Sequence, residues 1–271
     1  MGNGLKITLV VLLSIITIGL IGLLSVMLVR GEKFEFVFAT SAKLIEEKTI
    51  EDIKDINVNV NYVDIEINES DDEVINVKIY SDNASSHSIK DGETLDVELK
   101  EKSKFISLFS RGPKIVITVP KYYDKKVNVK GDVLDVRGTG CENLILYTDF
   151  STGDVKVEEM NIANIKLSTG DVKLEKVNDL VVSHSTGDIK VREVNKSINI
   201  KSNVGDIKIE NLNIEEDGLI KLSTGDVKIS KVNSIYVDAK TDVGDIRIQG
   251  TDRKSDIVLT ITNHIGDVKV G

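Results

Sequence analysis

The sequence is short of several residue types. In 271 residues there are one cysteine, no tryptophan, two prolines and three histidines. A single cysteine excludes an intramolecular disulfide framework and a Cys-rich zinc site. Aromatic residues make up 4% of the chain, too few to furnish a sugar-stacking cleft. Basic side chains are the minority, 35 against 44 acidic ones, for a net charge of −9. That balance argues against a protein built to wrap nucleic acid. Walker A loops, a Gly-x-Gly-x-x-Gly after a strand and a Gly-x-Ser-x-Gly elbow are also missing. The hydrophobic share, 41%, is enough for a core.

One long apolar run is present. Ile7 to Val29 is 23 residues without a charge, bracketed by Lys6 and Arg30. As a helix it would span roughly 34 Å, enough for a hydrocarbon core of about 30 Å. No small-residue cleavage site follows, so residues 1–30 are expected to form an uncleaved signal anchor. A short amino-terminal tail inside and the domain outside is the expected topology, at the plasma membrane. Beyond Arg30 the chain holds 33 basic and 44 acidic residues, a net −11.

The remainder is dominated by a repeat. Gly-Asp followed by Val or Ile occurs eight times, with Gly at 131, 153, 170, 187, 205, 225, 244 and 266. From Gly153 onward the residues before Gly are Thr152, Thr169, Thr186, Val204, Thr224, Val243 and Ile265, all β-branched. Apolar side chains follow two and four residues after it. Alternation with β-branched residues means strands. Inward parity changes across Gly-Asp, so each pair is a corner: Gly153-Asp154, Gly170-Asp171, Gly187-Asp188, Gly205-Asp206, Gly225-Asp226 and Gly244-Asp245. Asn161, Asn178, Asn195, Asn213 and Asn233, eight residues after Gly, define a second corner. Asn tolerates the left-handed conformation, and stacked amides can bond along a stack. The expected fold is all-β, a parallel β-solenoid of 17–22 residues per coil, preceded by one transmembrane helix. Residues 131–271 form its coils, 51–130 an irregular β region capping the first, and 31–50 a juxtamembrane linker.

Outward columns read as alternating stripes: Lys166, Lys201, Lys221 and Lys240 four residues before Gly, Asp one after it, and Lys or Arg three after it. A solvated, self-neutralising surface is the plain reading, with calcium in the Asp column as the sharper one. His184 falls on an inward parity and His264 on an outward one. Cys141 stands alone beside Glu142. Phe105, Leu108, Phe109 and Arg111, in an apolar segment flanked by basic residues, either form a core strand and turn or contact a partner or membrane. After Gly271 no cap is visible, so self-association through the carboxyl-terminal coil is an expectation. Hydrophilic Ser81–Gly92 reads as a loop.

The Ser-Thr-Gly-Asp-Val-Lys-Val rungs, the Ile115–Pro120 strand and the amino-terminal anchor resemble the putative-adhesin β-solenoid family of Gram-positive bacteria that includes the LiaG- and YvlB-like proteins. The resemblance covers residues 45–271 and implies a cell-surface protein connected with envelope stress. It implies no catalytic residues and no cofactor. The expected function is binding, with a cell-wall polymer, an envelope protein or the membrane itself (through Ile7–Val29) as partner and no nucleic acid. A self-assembling spacer and a polysaccharide-active β-helical enzyme are the alternatives.

Overall fold

The computed structural model describes residues 42–102 and 112–271. The anchor segment Ile7–Val29 and the candidate contacts Phe105, Leu108, Phe109 and Arg111 lie outside the described residues. Among the described residues no helix is long and apolar enough to cross a membrane. All twenty strands belong to one continuous hydrogen-bonded sheet. The sheet folds at each Gly-Asp corner, giving every rung a front strand before the corner and a back strand after it.

The central rungs follow the chain. Ile145–Thr152 (β10), Val155–Thr169 (β11), Val172–Thr186 (β12) and Ile189–Val204 (β13) pair in parallel and in register, so that Ile165 faces Val182 and Val182 faces Ile200. Ile207–Leu212 (β14), Gly218–Thr224 (β15) and Val227–Val232 (β16) continue both faces. β-branched residues on alternate positions produce this geometry because they pack on a pleated surface. The inward column Ile165, Val182, Ile200, Ile220 and Ile261 is at most 1% exposed. Each such side chain contributes roughly 1.5–3 kcal/mol through burial.

At both ends the order in the stack departs from the order in the chain. Ile56–Val60 (β2) and Asp64–Ser70 (β3) form a rung between Leu95–Glu101 and Lys114–Pro120 (β6, β7) on one side and Lys126–Val133 and Val136–Thr139 (β8, β9) on the other. Parallel pairing therefore crosses residue 131 without a break. Antiparallel strands Leu44–Ile50 (β1) and Ile75–Tyr80 (β4) extend the back face, and Ala84–Asp91 (β5) extends the front. The stretch read as a polar loop is thus an edge strand. Its side chains are polar because one face and one edge meet water, and Ile89 alone is buried.

The carboxyl-terminal coil is not the open one. Val258–Ile265 (β19) lies between β15 and Tyr236–Val243 (β17), and Val268–Val270 (β20) lies between β16 and Ile246–Ile248 (β18). The chain runs out to rung 236–248, turns back, and inserts its last coil inward. Self-association through the carboxyl-terminal coil is therefore corrected, since both of its edges are paired. The rung left open shows the expected signature. Ile246 is 41% exposed where Val155, Val172 and Ile189 of the same column are at most 1% exposed, and Ala239 replaces the large side chains of its column. The returning turn covers part of that edge, since the Val237 N–H donates to Thr251 Oγ1 and the Asp252 N–H to the Ile235 carbonyl, both at 2.9 Å.

One corner is also corrected. Gly131 lies within β8 opposite Phe150, and Leu134-Asp135 holds the corner position instead. A Cβ at Gly131 would press on the Leu134 side chain and the Val60 carbonyl, so this glycine makes room in the core. Val63-Asp64 holds the corresponding corner of its rung, with the Ile65 N–H donating to the Asp135 carbonyl at 2.8 Å.

Candidate functional site

The corners explain why Gly-Asp recurs. Gly153, Gly170, Gly187, Gly205, Gly225, Gly244 and Gly266 have φ between 128° and 145°. That region is open to glycine and strained for any other residue. Close approach adds a second reason: a Cβ at Gly187 would overlap the Gly170 carbonyl one rung away.

The following aspartates form a ladder. Each donates its backbone N–H to the carboxylate of the Asp one rung before, from Asp154 onto Asp135 (2.9 Å) through Asp171 onto Asp154 (2.8 Å) to Asp245 onto Asp267 (2.9 Å). The Asp206 N–H, with the Lys190 ammonium as a second cause, holds the Asp188 carboxyl below its ordinary range. Burial, reinforced by the Asp135 charge, raises Asp64. One oxygen of each ladder carboxylate from Asp135 to Asp267, all but the terminal Asp245, is committed to backbone, which argues against the calcium reading. No group of three or more His, Cys, Asp or Glu side chains placed to hold a metal occurs among the described residues.

The asparagine column is bonded as well. Asn178 Nδ2 donates to Asn161 Oδ1 (3.1 Å), Asn213 to Asn195 (3.3 Å), and Asn233 to Asn213. None of the five has a positive φ; among the described residues Ser234 alone does so outside glycine. These asparagines act through side-chain bonds and not through the left-handed conformation expected of a corner.

The stripes of charge separate onto two faces. On the back, Arg137, Lys156, Lys173, Lys190, Lys208, Lys228, Lys269 and Arg247 stand in direct register over eight rungs. The Asp ladder runs beside them, giving ion pairs such as Lys190–Asp188 and Lys208–Asp206 at 3.1 Å and Arg137–Asp135 at 3.2 Å. The side chain of Asp206 accordingly raises Lys208. On the front, Lys130, Asp149, Lys166, Ser183, Lys201, Lys221, Thr262 and Lys240 form one column. Lys166 meets Asp149 at 3.0 Å. The sequence shows both lysine columns but not that the corner puts them on opposite faces, so the self-neutralising reading describes the back face alone.

Groups with catalytic potential are dispersed. His184 is buried, with Nε2 2.8 Å from the Gly170 carbonyl and Nδ1 3.2 Å from Ser202 Oγ. Nε2 therefore carries the proton, and burial lowers the pKa below 6.5. His264 Nδ1 meets Asp242 at the surface at 2.8 Å. Cys141 is buried, and burial, with the Glu69 charge as a second cause, pushes its thiol up to about 12. A depression of about 480 Å³ on the back gathers Asp64, Glu66, Tyr80, Lys114 and Arg137, with Lys114 paired to Glu66 at 3.0 Å. Two smaller ones follow, of about 300 Å³ on the front between Asn128, Tyr147, Asn164 and Lys166 and of about 370 Å³ on the back between Lys156, Lys173, Glu175 and Arg192. None of the three is lined by His, Cys or Ser.

The architecture defines an all-β solenoid with parallel rungs and two long outward faces. Residues 53–271 match the model of one such family, and the chain belongs to the Toastrack DUF4097 family. No curated protein matches the sequence. Among solved structures it is similar to a putative adhesin from Bacteroides fragilis, at 21% identity and TM-score 0.47, over 86% of this chain and 100% of that one. It is also similar to a putative cell adhesion protein from Clostridium sporogenes, at 13% identity and TM-score 0.33, over 83% of this chain and 98% of that one. A putative lipid binding protein from Parabacteroides distasonis is 17% identical with TM-score 0.39, over 86% of this chain and 100% of that one.

Proposed function

We propose that this chain is a cell-surface binding protein of adhesin type, or an accessory of the envelope-stress response, held at the plasma membrane by Ile7–Val29 with its solenoid outside. The observation that carries the reading is the repetition of outward side chains. Lysines, aspartates and hydroxyl or amide groups recur rung after rung, so each face offers rows of identical contacts and not a point of convergent chemistry. Rows suit an extended partner; catalysis needs a few groups with pKa values pushed apart around one reacting centre. Action by binding, without an enzymatic step, is part of the proposal. The test is sedimentation of the full-length chain, in uncharged detergent, with isolated cell envelopes. Retention with the envelope fraction supports the reading, and complete recovery in the supernatant at physiological salt overturns it.

A second reading has its own support. Rung 236–248 leaves strand edges unpaired and Ile246 exposed, and an open edge is a template for another strand. Self-assembly at that rung would make the protein a spacer. A concentration-independent monomer mass in light scattering removes it.

A further inference from the structure

The two lysine columns differ in what surrounds them. Lys208 and Lys228 stand on the back face beside the Asp ladder, and Lys208 is paired with Asp206 at 3.1 Å. Lys201 and Lys221 stand on the same two rungs, on the front, directly opposite one another in register. Both are exposed. Between Ile162 and Thr224 the front strands hold one acid, Asp179, and its carboxylate accepts the Ser197 hydroxyl at 2.7 Å. Among the described residues Lys201 and Lys221 make no ion pair, while on the back face Lys208 pairs with Asp206 and the Asp ladder runs beside both Lys208 and Lys228. A chain with net charge −9 thus carries, on the front of these two adjacent rungs, a pair of lysines without an ion-pair partner among the described residues.

The groups beside the strip indicate the kind of anion. On one side the lysines are flanked by Asn164 and Asn199, which alternate with Val181 and Leu219 in their row, and on the other by Ser168, Ser185 and Ser223. The Asn and Ser side chains are amide and hydroxyl groups, able to exchange hydrogen bonds with a hydroxylated chain. No aromatic side chain occurs on these front strands, so there is no platform on which nucleic-acid bases could stack. Rungs repeat at about 4.8 Å, so Lys201 and Lys221 stand one rung apart, with Lys166, already paired with Asp149, two rungs beyond Lys201. Cations at such intervals along a line fit a linear polymer with repeating charge.

Resting on the surface-binding reading above, we propose that the front face between Ile162 and Thr224 binds a linear anionic glycan, with Lys201 and Lys221 receiving its acidic groups and the flanking Asn and Ser rows its hydroxyls. The polymer lies along the solenoid axis, across the strands. The back face, with cations and carboxylates in adjacent rows, does not take part.

The test compares rung-matched double variants of the full-length chain in uncharged detergent: Lys201→Gln with Lys221→Gln on the front, and Lys208→Gln with Lys228→Gln on the back. Both remove two charges, so an effect of net charge alone strikes them equally. Polygalacturonate is the probe, dextran the uncharged comparison and anionic lipid vesicles the competing surface. The expected result is binding of polygalacturonate and not dextran. The front variant should lose about tenfold in affinity, with the salt slope lowered by roughly one per lysine, and the back variant should match the parent. Equal weakening of both variants, no binding of polygalacturonate by the parent, or binding of vesicles alone would each overturn the assignment. Isolated envelopes are run in parallel. If all three proteins bind envelopes equally, surface binding stands and the front-face assignment falls; if none binds, both fall.

Discussion

A methyl group on Gly187 strikes the fold where it has least room. Gly187 has φ of 135°, and a Cβ there would overlap the Gly170 carbonyl. Strain at such a φ costs roughly 1–3 kcal/mol. Moving the neighbouring rung to relieve the overlap adds about 1–3 kcal/mol. That movement also weakens the Gly170 N–H bond to the Thr186 carbonyl (3.0 Å) and the Asp188 N–H bond to Asp171 Oδ1 (2.8 Å), at about 1 kcal/mol each. Together the change should cost roughly 4–8 kcal/mol, a large part of a typical domain's stability. Gly250 is the comparison, because its φ is 69° and nothing lies within 4 Å of its Cβ position. Gly250→Ala should cost only about 1–2 kcal/mol. Urea unfolding of both variants gives the difference, and amide hydrogen exchange locates it. Protection should fall in the rungs on either side of Gly187, because rungs contact only their neighbours. A Gly187→Ala protein as stable as Gly250→Ala would refute the close-contact account of the corner.

Three further outcomes follow from the same geometry. Asp188→Ala removes the acceptor of the Asp206 N–H and should cost about 1 kcal/mol in urea unfolding, reduced by its partial exposure; because its folded pKa is depressed, that stabilisation is present above the ordinary value of 3.8 and should fade as pH drops through and below it, and a pH-independent cost would count against the ladder. His184 is held neutral by burial, so its folded pKa lies below 6.5; above that pH neither state is protonated, below it the unfolded chain gains the proton first, and stability should fall. His184→Leu, matching Leu167 and Leu222 of its column, should flatten this pH dependence in thermal melts, and an unchanged slope would refute it. Cys141, buried with its thiol pushed up to about 12, should resist a disulfide reagent at pH 8 until urea unfolds the chain; rapid native labelling would contradict the burial.

The coil was legible in the sequence because seven of its corners hold glycine. At Gly153 through Gly266 a φ near 135°, pressed against the next rung, excludes a side chain, so the motif recurs and the change of parity across Gly-Asp can be read; the corners at Val63-Asp64 and Leu134-Asp135 turn without it. His184 was legible by the same parity. Gly131 shows the limit: its Gly-Asp-Val is identical to a corner in sequence, yet the Leu134 side chain and the Val60 carbonyl need the space beside it and Leu134-Asp135 turns instead. The exchanged rungs at both ends were not legible, since alternation fixes which side chains point inward but not which coil lies on which. The separate character of the two lysine columns became visible only once the corner had been given a direction in space. The Asp column reads in sequence as part of a solvated, self-neutralising surface, whereas its carboxylates also accept backbone N–H groups, which leave no mark in a sequence.

The most direct test of the account is topology. Intact cells carrying the full-length chain with a carboxyl-terminal tag are treated with a non-permeant protease, with a cytosolic protein as control. The account predicts loss of the tag while the control is spared, placing the solenoid where it can meet an envelope polymer. A tag that survives on intact cells and is lost only after lysis would place the solenoid inside and contradict a surface-binding function.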